Sequence, residues 1–173
     1  PGLWERRYPE RMLIRPLQSA EEQALVAARM RETLVEVLGA ARGEAMYSMA
    51  WLSERVAQHL DRDDAAVLLA DSDGDILGHT IVRIEQAPDG TPLGLFSTTY
   101  VAPPARRQGV ARALLAAGES WMSARGLPRA ATWTAHDNHR LIGLYTALGY
   151  RIAAHVDEMV RLCLLYTSDA ADE

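Results

Sequence analysis

The stretch from Thr99 to Arg112, TYVAPPARRQGVAR, constrains this chain more than any other. Leu93 to Val101 has the β-branched and aromatic content of a strand. Pro103 and Pro104 carry no N–H and stop its pairing. From Gly109 to Arg125 the apolar residues Val110, Leu114, Leu115, Trp121 and Met122 fall at helical spacing, and Gly126 marks the end. A helix start leaves its first N–H groups unpaired at the positive end of the dipole. Gly109 has no Cβ to keep a ligand from that backbone, Ala111 is small, and Arg106, Arg107 and Arg112 add positive charge. The backbone from Arg107 through Gln108, Gly109 and Val110 to Arg112 is therefore a candidate pyrophosphate cradle that requires neither metal nor lysine. In isolation, Arg-x-x-Gly-x-Ala equally describes a solvated helix start. The flanking strand and helix favour the cradle.

The remaining periodicities place this unit in a mixed α/β domain. Met12 to Leu17 reads as a strand, and Ser19 caps a helix whose first turn holds Glu21 and Glu22. Leu25, Val26, Met30, Leu34, Val37 and Leu38 mark its apolar face. A second helix is expected over Ser48 to Leu60, with Trp51, Leu52, Val56 and Leu60 on one side and Trp51 in the core. Ala65 to Ala70 and Ile76 to Ile84 flank an Asp-Ser-Asp-Gly turn, a hairpin signature. Ala130 to Ala135 is a strand, Asn138 to Leu148 a helix closed by Gly149, and Tyr150 to Leu162 one strand with a break near Asp157 or Glu158. The expected fold is α/β: a mixed, mostly antiparallel central sheet flanked by helices.

Composition narrows the chemistry. The 173 residues are enough for one ordinary domain, and the 49% apolar and 24% charged fractions are those of a globular protein, not a disordered or collagen-like one. All 18 basic residues are arginine, which excludes a lysine Schiff base and the lysine of a Walker phosphate loop. One cysteine, Cys163, excludes an intrachain disulfide and a zinc site built on several thiolates, and no metal is expected. A net charge of −5 argues against a nucleic-acid partner. With neither an apolar run long enough to span a bilayer nor a secretory signal at the start, a cytoplasmic location with no membrane partner is expected.

The two ends read as foreign to the domain. Cys163 to Glu173, CLLYTSDAADE, resembles one reading frame of the transposon-end adaptor used in DNA library preparation. Residues 1–11 precede a methionine that suits a biological start, and are expected to be a non-native or disordered extension. The domain is accordingly expected over 12–162.

A second motif lies downstream of the cradle: Asn138 after a strand, then Leu144-Tyr145 and Leu148-Gly149-Tyr150. With Arg106, Gly109 and Ala111 it makes the chain resemble the GNAT superfamily of acyl-CoA-dependent N-acetyltransferases over nearly the whole domain. The resemblance implies acetyl-CoA as co-substrate, its pyrophosphate held by the backbone of Arg107 to Arg112 and its pantetheine arm paired with Tyr100 and Val101. It further implies that Asn138 touches that arm and that Tyr145 donates a proton to the leaving thiolate, a role suited to a phenol protonated at neutral pH. Tyr145 equally suits packing against the sheet, and Tyr150 suits the core. Many relatives place a glutamate late in the fourth strand, where this chain reads Leu95-Phe-Ser-Thr-Thr-Tyr-Val101. His136, Asp137, Glu85 or a water wire are then the candidate bases, with His136 favoured by its reference pKa. The acceptor pocket is expected along the first two helices and their connection, Gly39 to Trp51, where Tyr47, Met49 and Trp51 offer a mixed aromatic surface; the same three equally suit core packing, Trp51 most of all. The implied activity is acetyl transfer to a primary amine of a small molecule or peptide by direct attack. The alternative is a silent acyl-CoA-binding module of the same fold, and a homodimer is left open.

Overall fold

The computed structural model describes residues 12–38 and 48–165. Its elements run β1 (Met12–Pro16), α1 (Ala20–Leu38), α2 (Met49–Leu60), β2 (Ala65–Ser72), β3 (Asp75–Gln86) and β4 (Pro92–Val101). After a 3-10 turn at Pro103–Ala105 come α3 (Val110–Ala124), β5 (Arg129–Ala135), α4 (His139–Ala147), β6 (Arg151–Val156) and β7 (Met159–Leu165). The strands hydrogen-bond in the order β1-β2-β3-β4-β5-β7-β6, a mixed and mostly antiparallel sheet as the sequence predicts. Two compact units divide the chain: one takes it as far as Ile81 and adds Thr98–Ala117, and the other takes Val82–Ser97 and the chain from Gly118 onward.

In the first unit, β1 pairs antiparallel with β2, from Met12 opposite Ser72 to Pro16 opposite Leu68. The period of two along β2 sends Val67 and Leu69 into one apolar cluster and Ala70 into another. Val26 and Ala27 of α1, Leu52 and Val56 of α2, and Ile81 of β3 complete the first cluster. Leu77, Ala105, Val110 and Leu114 complete the second. Each fully buried aliphatic side chain contributes about 1.5–3 kcal/mol. Ser19 caps α1 through Oγ, which accepts from the Glu22 N–H (3.2 Å), and Ser48 caps α2 by accepting from the Trp51 N–H (3.1 Å). Arg15 of β1 ion-pairs with Glu22 of α1 and, at 2.9 Å, with Asp71 of β2, tying three elements at one point. These bonds raise the guanidinium's pKa and lower that of Glu22.

One expectation for α2 needs correcting. Its buried stripe is Leu52, Val56 and His59, while Trp51 is 43% exposed and Leu60 39%. The apolar face is rotated by one residue from that drawn through Trp51. The indole instead lies under the Arg55 guanidinium, 5.4 Å from its centroid.

In the second unit, β4 runs parallel to β5, with Leu95 opposite Ala131, and β5 runs antiparallel to β7. The final apolar stretch is two strands: β6 and β7 form an antiparallel hairpin around Asp157 and Glu158, with an irregularity between Ile152 and Ala154. The break noted near Asp157 is therefore the turn. Cys163, Leu164 and Leu165 belong to β7, where Cys163 is opposite Ala131, and 166–173 lie outside the described residues, as do 1–11. Helix α4 ends in a Schellman motif. The Tyr150 N–H donates to the Tyr145 carbonyl and the Gly149 N–H to that of Thr146, both at 3.0 Å, with Gly149 at φ +96°. The apolar contact that accompanies such a cap is made by Tyr145 and Tyr150 themselves, edge-on at 4.9 Å.

Candidate active site

The site is built on the first unit, where β4 ends. The Ala102 N–H donates to the Leu77 carbonyl (2.8 Å), and the prolines then turn the chain through Ala105, which is buried. Arg106 reaches back with Nε to the carbonyl of Val101 (3.0 Å), so the first arginine of the turn holds the end of the strand. Gln108 likewise donates to the Pro104 carbonyl (3.2 Å). Two residues of the turn have left-handed backbone, Arg107 at φ +63° and Gly109 at φ +84°. Such conformations next to a helix start aim successive N–H groups into one concavity, the arrangement that binds anions. Helix α3 then begins, its first internal bond running from the Ala113 N–H to the Gly109 carbonyl (3.0 Å).

The N–H groups of Arg107 to Arg112 donate to no acceptor among the described residues, and a Cβ placed on Gly109 would meet nothing within 4 Å. Free donors, open space and arginines at three positions fit a pyrophosphate. Arg107, Gly109 and Arg112 are exposed and Val110 is buried, so the concavity opens to solvent while the helix behind it is anchored. Among the described residues no group of three metal-ligating side chains occurs.

Immediately before the turn, Tyr100 gathers residues that no local pattern connects to it. Its phenol donates to Oε2 of Glu32 on α1 at 2.6 Å, and its ring is stacked near-parallel with His79 of β3 at 5.8 Å. The Arg29 guanidinium lies 5.3 Å from the same ring. His79 is fully buried, and burial with the nearby Arg29 charge pushes its imidazole down to about 3, so it is neutral at physiological pH. Burial, then the bond to Glu32, raises the Tyr100 phenol and keeps it a donor. Gly78 makes room for this arrangement, since a Cβ there would overlap the Tyr100 carbonyl oxygen. Sequence reasoning missed Glu32, Arg29 and His79. The available signals were a histidine inside the apolar run of β3, and Arg29 and Glu32 three apart on one side of α1.

The other expected site residues belong to the second unit. Asn138 is the N-cap of α4: Oδ1 accepts from the Leu141 N–H (3.2 Å) and Nδ2 donates to the Thr134 hydroxyl (3.1 Å). Tyr145 is 1% exposed and also meets the Phe96 ring edge-on at 6.0 Å. His136 and Asp137 are exposed in the turn between β5 and α4. Glu85 is ion-paired with Arg83 at 2.6 Å. Tyr47 and the rest of 39–47, named above for the acceptor pocket, lie outside the described residues.

Comparison with known proteins agrees with this architecture. The sequence profile of the acetyltransferase (GNAT) family matches residues 27–150. Over 103 residues the chain is 34% identical to the mycothiol acetyltransferase of Cellulomonas flavigena, a match covering 56% of this chain and 29% of that protein. With the enzyme of the same name from Salinispora tropica it shares 35% over 98 residues, covering 55% and 32%. The matched region thus spans about a third of the length of these curated relatives. Among solved structures, the PaiA N-acetyltransferase of Thermoplasma acidophilum in complex with coenzyme A has the same fold, with a TM-score of 0.72 at 18% identity, covering 90% of this chain and 99% of that one. No helix among the described residues is long and apolar enough to cross a membrane. By its motifs, its fold and its profile match, the chain belongs to the acetyltransferase (GNAT) family.

Proposed function

We propose that this protein is an enzyme that transfers the acetyl group of acetyl-CoA to a primary amine of a small molecule or peptide. The observation that carries the reading is the cradle: six consecutive N–H groups from Arg107 to Arg112 without acceptors among the described residues, opening on the space at Gly109. These donors take the pyrophosphate, and Arg107 and Arg112 add charge-assisted bonds of about 1.5–3 kcal/mol each. The end of β4, at Tyr100 and Val101, offers its backbone to the pantetheine arm. Acetyl-CoA supplies an acyl thioester, which an amine attacks directly without an acyl-enzyme.

Asn138 as a contact to the arm and Tyr145 as proton donor to the departing thiolate are assigned on the family motif. The acidic balance of the chain, −5 overall, favours a cationic acceptor over a phosphorylated one. The mycothiol acetyltransferase relatives do not name the acceptor here, since so little of their length is matched.

The test is acetyl-CoA turnover followed by thiol release across a broad amine panel, with CoA binding measured by calorimetry on the same protein. Turnover of at least one amine, and loss of both binding and turnover in Gly109→Asp, are expected. CoA binding without turnover on any amine overturns the transfer reading and leaves a silent binding module.

A further inference from the structure

Strand β4 carries no carboxylate between Leu95 and Val101, yet the structure brings one to it from 68 residues away. Glu32 is exposed, whereas the phenol that holds its Oε2 belongs to a residue only 8% exposed. The bond therefore engages one carboxylate oxygen of an exposed residue, and among the described residues Oε1 has no hydrogen bond. Among the described residues no cation lies within ion-pairing distance of it. Three other carboxylates of this unit differ in this respect: Glu22, Asp71 and Asp64 are each engaged by arginine. Arg29, the nearest cation of the cluster, is directed to the Tyr100 ring, and its Nη1 is buried without a partner. Arg29 acts on Glu32 only through its field, so a carboxylate held by a neutral donor and directly ion-paired with no cation among the described residues is arranged to receive one.

The position suits that cation being the acceptor. Tyr100 is adjacent to Val101, whose carbonyl is held by Arg106 of the cradle, so Glu32 is tied to the strand end that leads directly into the anion-binding turn. We propose that Glu32, presented by the Tyr100 hydroxyl, receives the ammonium group of the acceptor and takes up its proton. This rests on the transferase reading of the same site. The N–H proton passes to the Glu32 carboxylate, and the freed lone pair forms the N–C bond to the acetyl carbon as the C–S bond breaks. The thiolate leaves with the electron pair and is protonated. The second amine proton is lost to water once the amide has formed. His79, neutral behind the ring, adds no competing positive charge to the cluster.

The variants Glu32→Gln and Tyr100→Phe test this. The first keeps an oxygen for the Tyr100 hydroxyl but removes the base. The second keeps the carboxylate but removes its support. Each is assayed with the best primary alkylamine of the panel and with the alkoxyamine of the same side chain, whose nitrogen is already a free base at neutral pH. For Glu32→Gln we expect kcat/KM with the alkylamine to fall by about 100-fold, the scale of a lost general base. CoA affinity should stay unchanged and the loss should largely vanish with the alkoxyamine. Tyr100→Phe should show a smaller loss with the same acceptor dependence, and it decides the matter if Glu32→Gln fails to bind CoA. Wild-type rates in Glu32→Gln, or equal losses on both acceptors, overturn the assignment and leave Glu32 a structural tie. Failure of the wild type to acetylate any amine overturns the transferase reading instead, and this inference with it.

Discussion

Gly109 offers the sharpest separation between a cradle and an ordinary helix start. Its φ of +84° costs a residue with a Cβ about 1–2 kcal/mol. The space around a Cβ there is open to 4 Å, so Gly109→Ala incurs that backbone strain without a clash. For a chain of this size each kcal/mol lowers Tm by roughly 2–4 °C, so Gly109→Ala should fold and melt a few degrees early. The same methyl group would stand where a phosphate oxygen must approach the N–H groups. Losing one charge-assisted bond of about 1.5–3 kcal/mol weakens CoA binding by roughly 10- to 150-fold. Gly109→Asp adds a negative charge facing the pyrophosphate and should bind more weakly still. Calorimetry with CoA and with pantetheine, which has no pyrophosphate, isolates the effect. The order wild type, Ala, Asp should appear for CoA and be absent for pantetheine. Folded Gly109→Asp that binds CoA as tightly as wild type would refute the cradle.

Three further outcomes are expected. His79 titrates near 3 in the folded chain and near 6.5 when unfolded, so the unfolded state alone gains a proton between those values. Stability from this group is complete above about pH 6.5 and falls by up to about 1.4 kcal/mol per unit as pH drops toward 3. His79→Phe keeps the ring beside Tyr100 and should remove that slope, and denaturant melts at several pH values that run parallel for both proteins would contradict it. Asn138→Ala removes the α4 cap and should cost about 0.5–2 kcal/mol, whereas Asn138→Asp, which retains the acceptor for the Leu141 N–H, should cost less by the same melts. Gly78→Ala forces a methyl group onto the Tyr100 carbonyl oxygen, a backbone atom that cannot turn aside. It should destabilise by about 1–3 kcal/mol and weaken CoA binding as the strand end shifts, while unchanged melting would show that β3 moves instead.

Whatever depended on chain-local rules was legible in the sequence. The turn after β4 is such a case: proline excludes a pairing N–H, glycine permits positive φ, and helical spacing shows where α3 begins. The cap at Ser19 follows from residue type and position, and Ser48 and Asn138, read as the first residues of their helices, prove to be caps by the same rule. The face of α2 was misjudged because Trp51 and Leu52 both fit a helical stripe, and only packing against Val26, Val67 and Ile81 shows which is covered. The final strands merged because Asp157 and Glu158 lack the glycine that usually announces a two-residue turn; Asp157 nevertheless takes φ +55°.

The two parts of the family motif carry different kinds of information. Tyr145, Gly149 and Tyr150 stand at the C3, C′ and C″ positions of one Schellman cap, and the tyrosine rings make its apolar contact. That geometry accounts for the spacing of the motif through capping and packing. The turn before α3 differs from an ordinary solvated helix start not in its free N–H groups, which any first turn leaves, but in the left-handed backbone at Arg107 and Gly109 that precedes them. Glu32 is a third kind of case. Its bond to Tyr100 joins residues 68 apart in the chain, which no periodicity within either segment can express. A carboxylate missing from β4 in the sequence is thus no evidence that the strand lacks one in space.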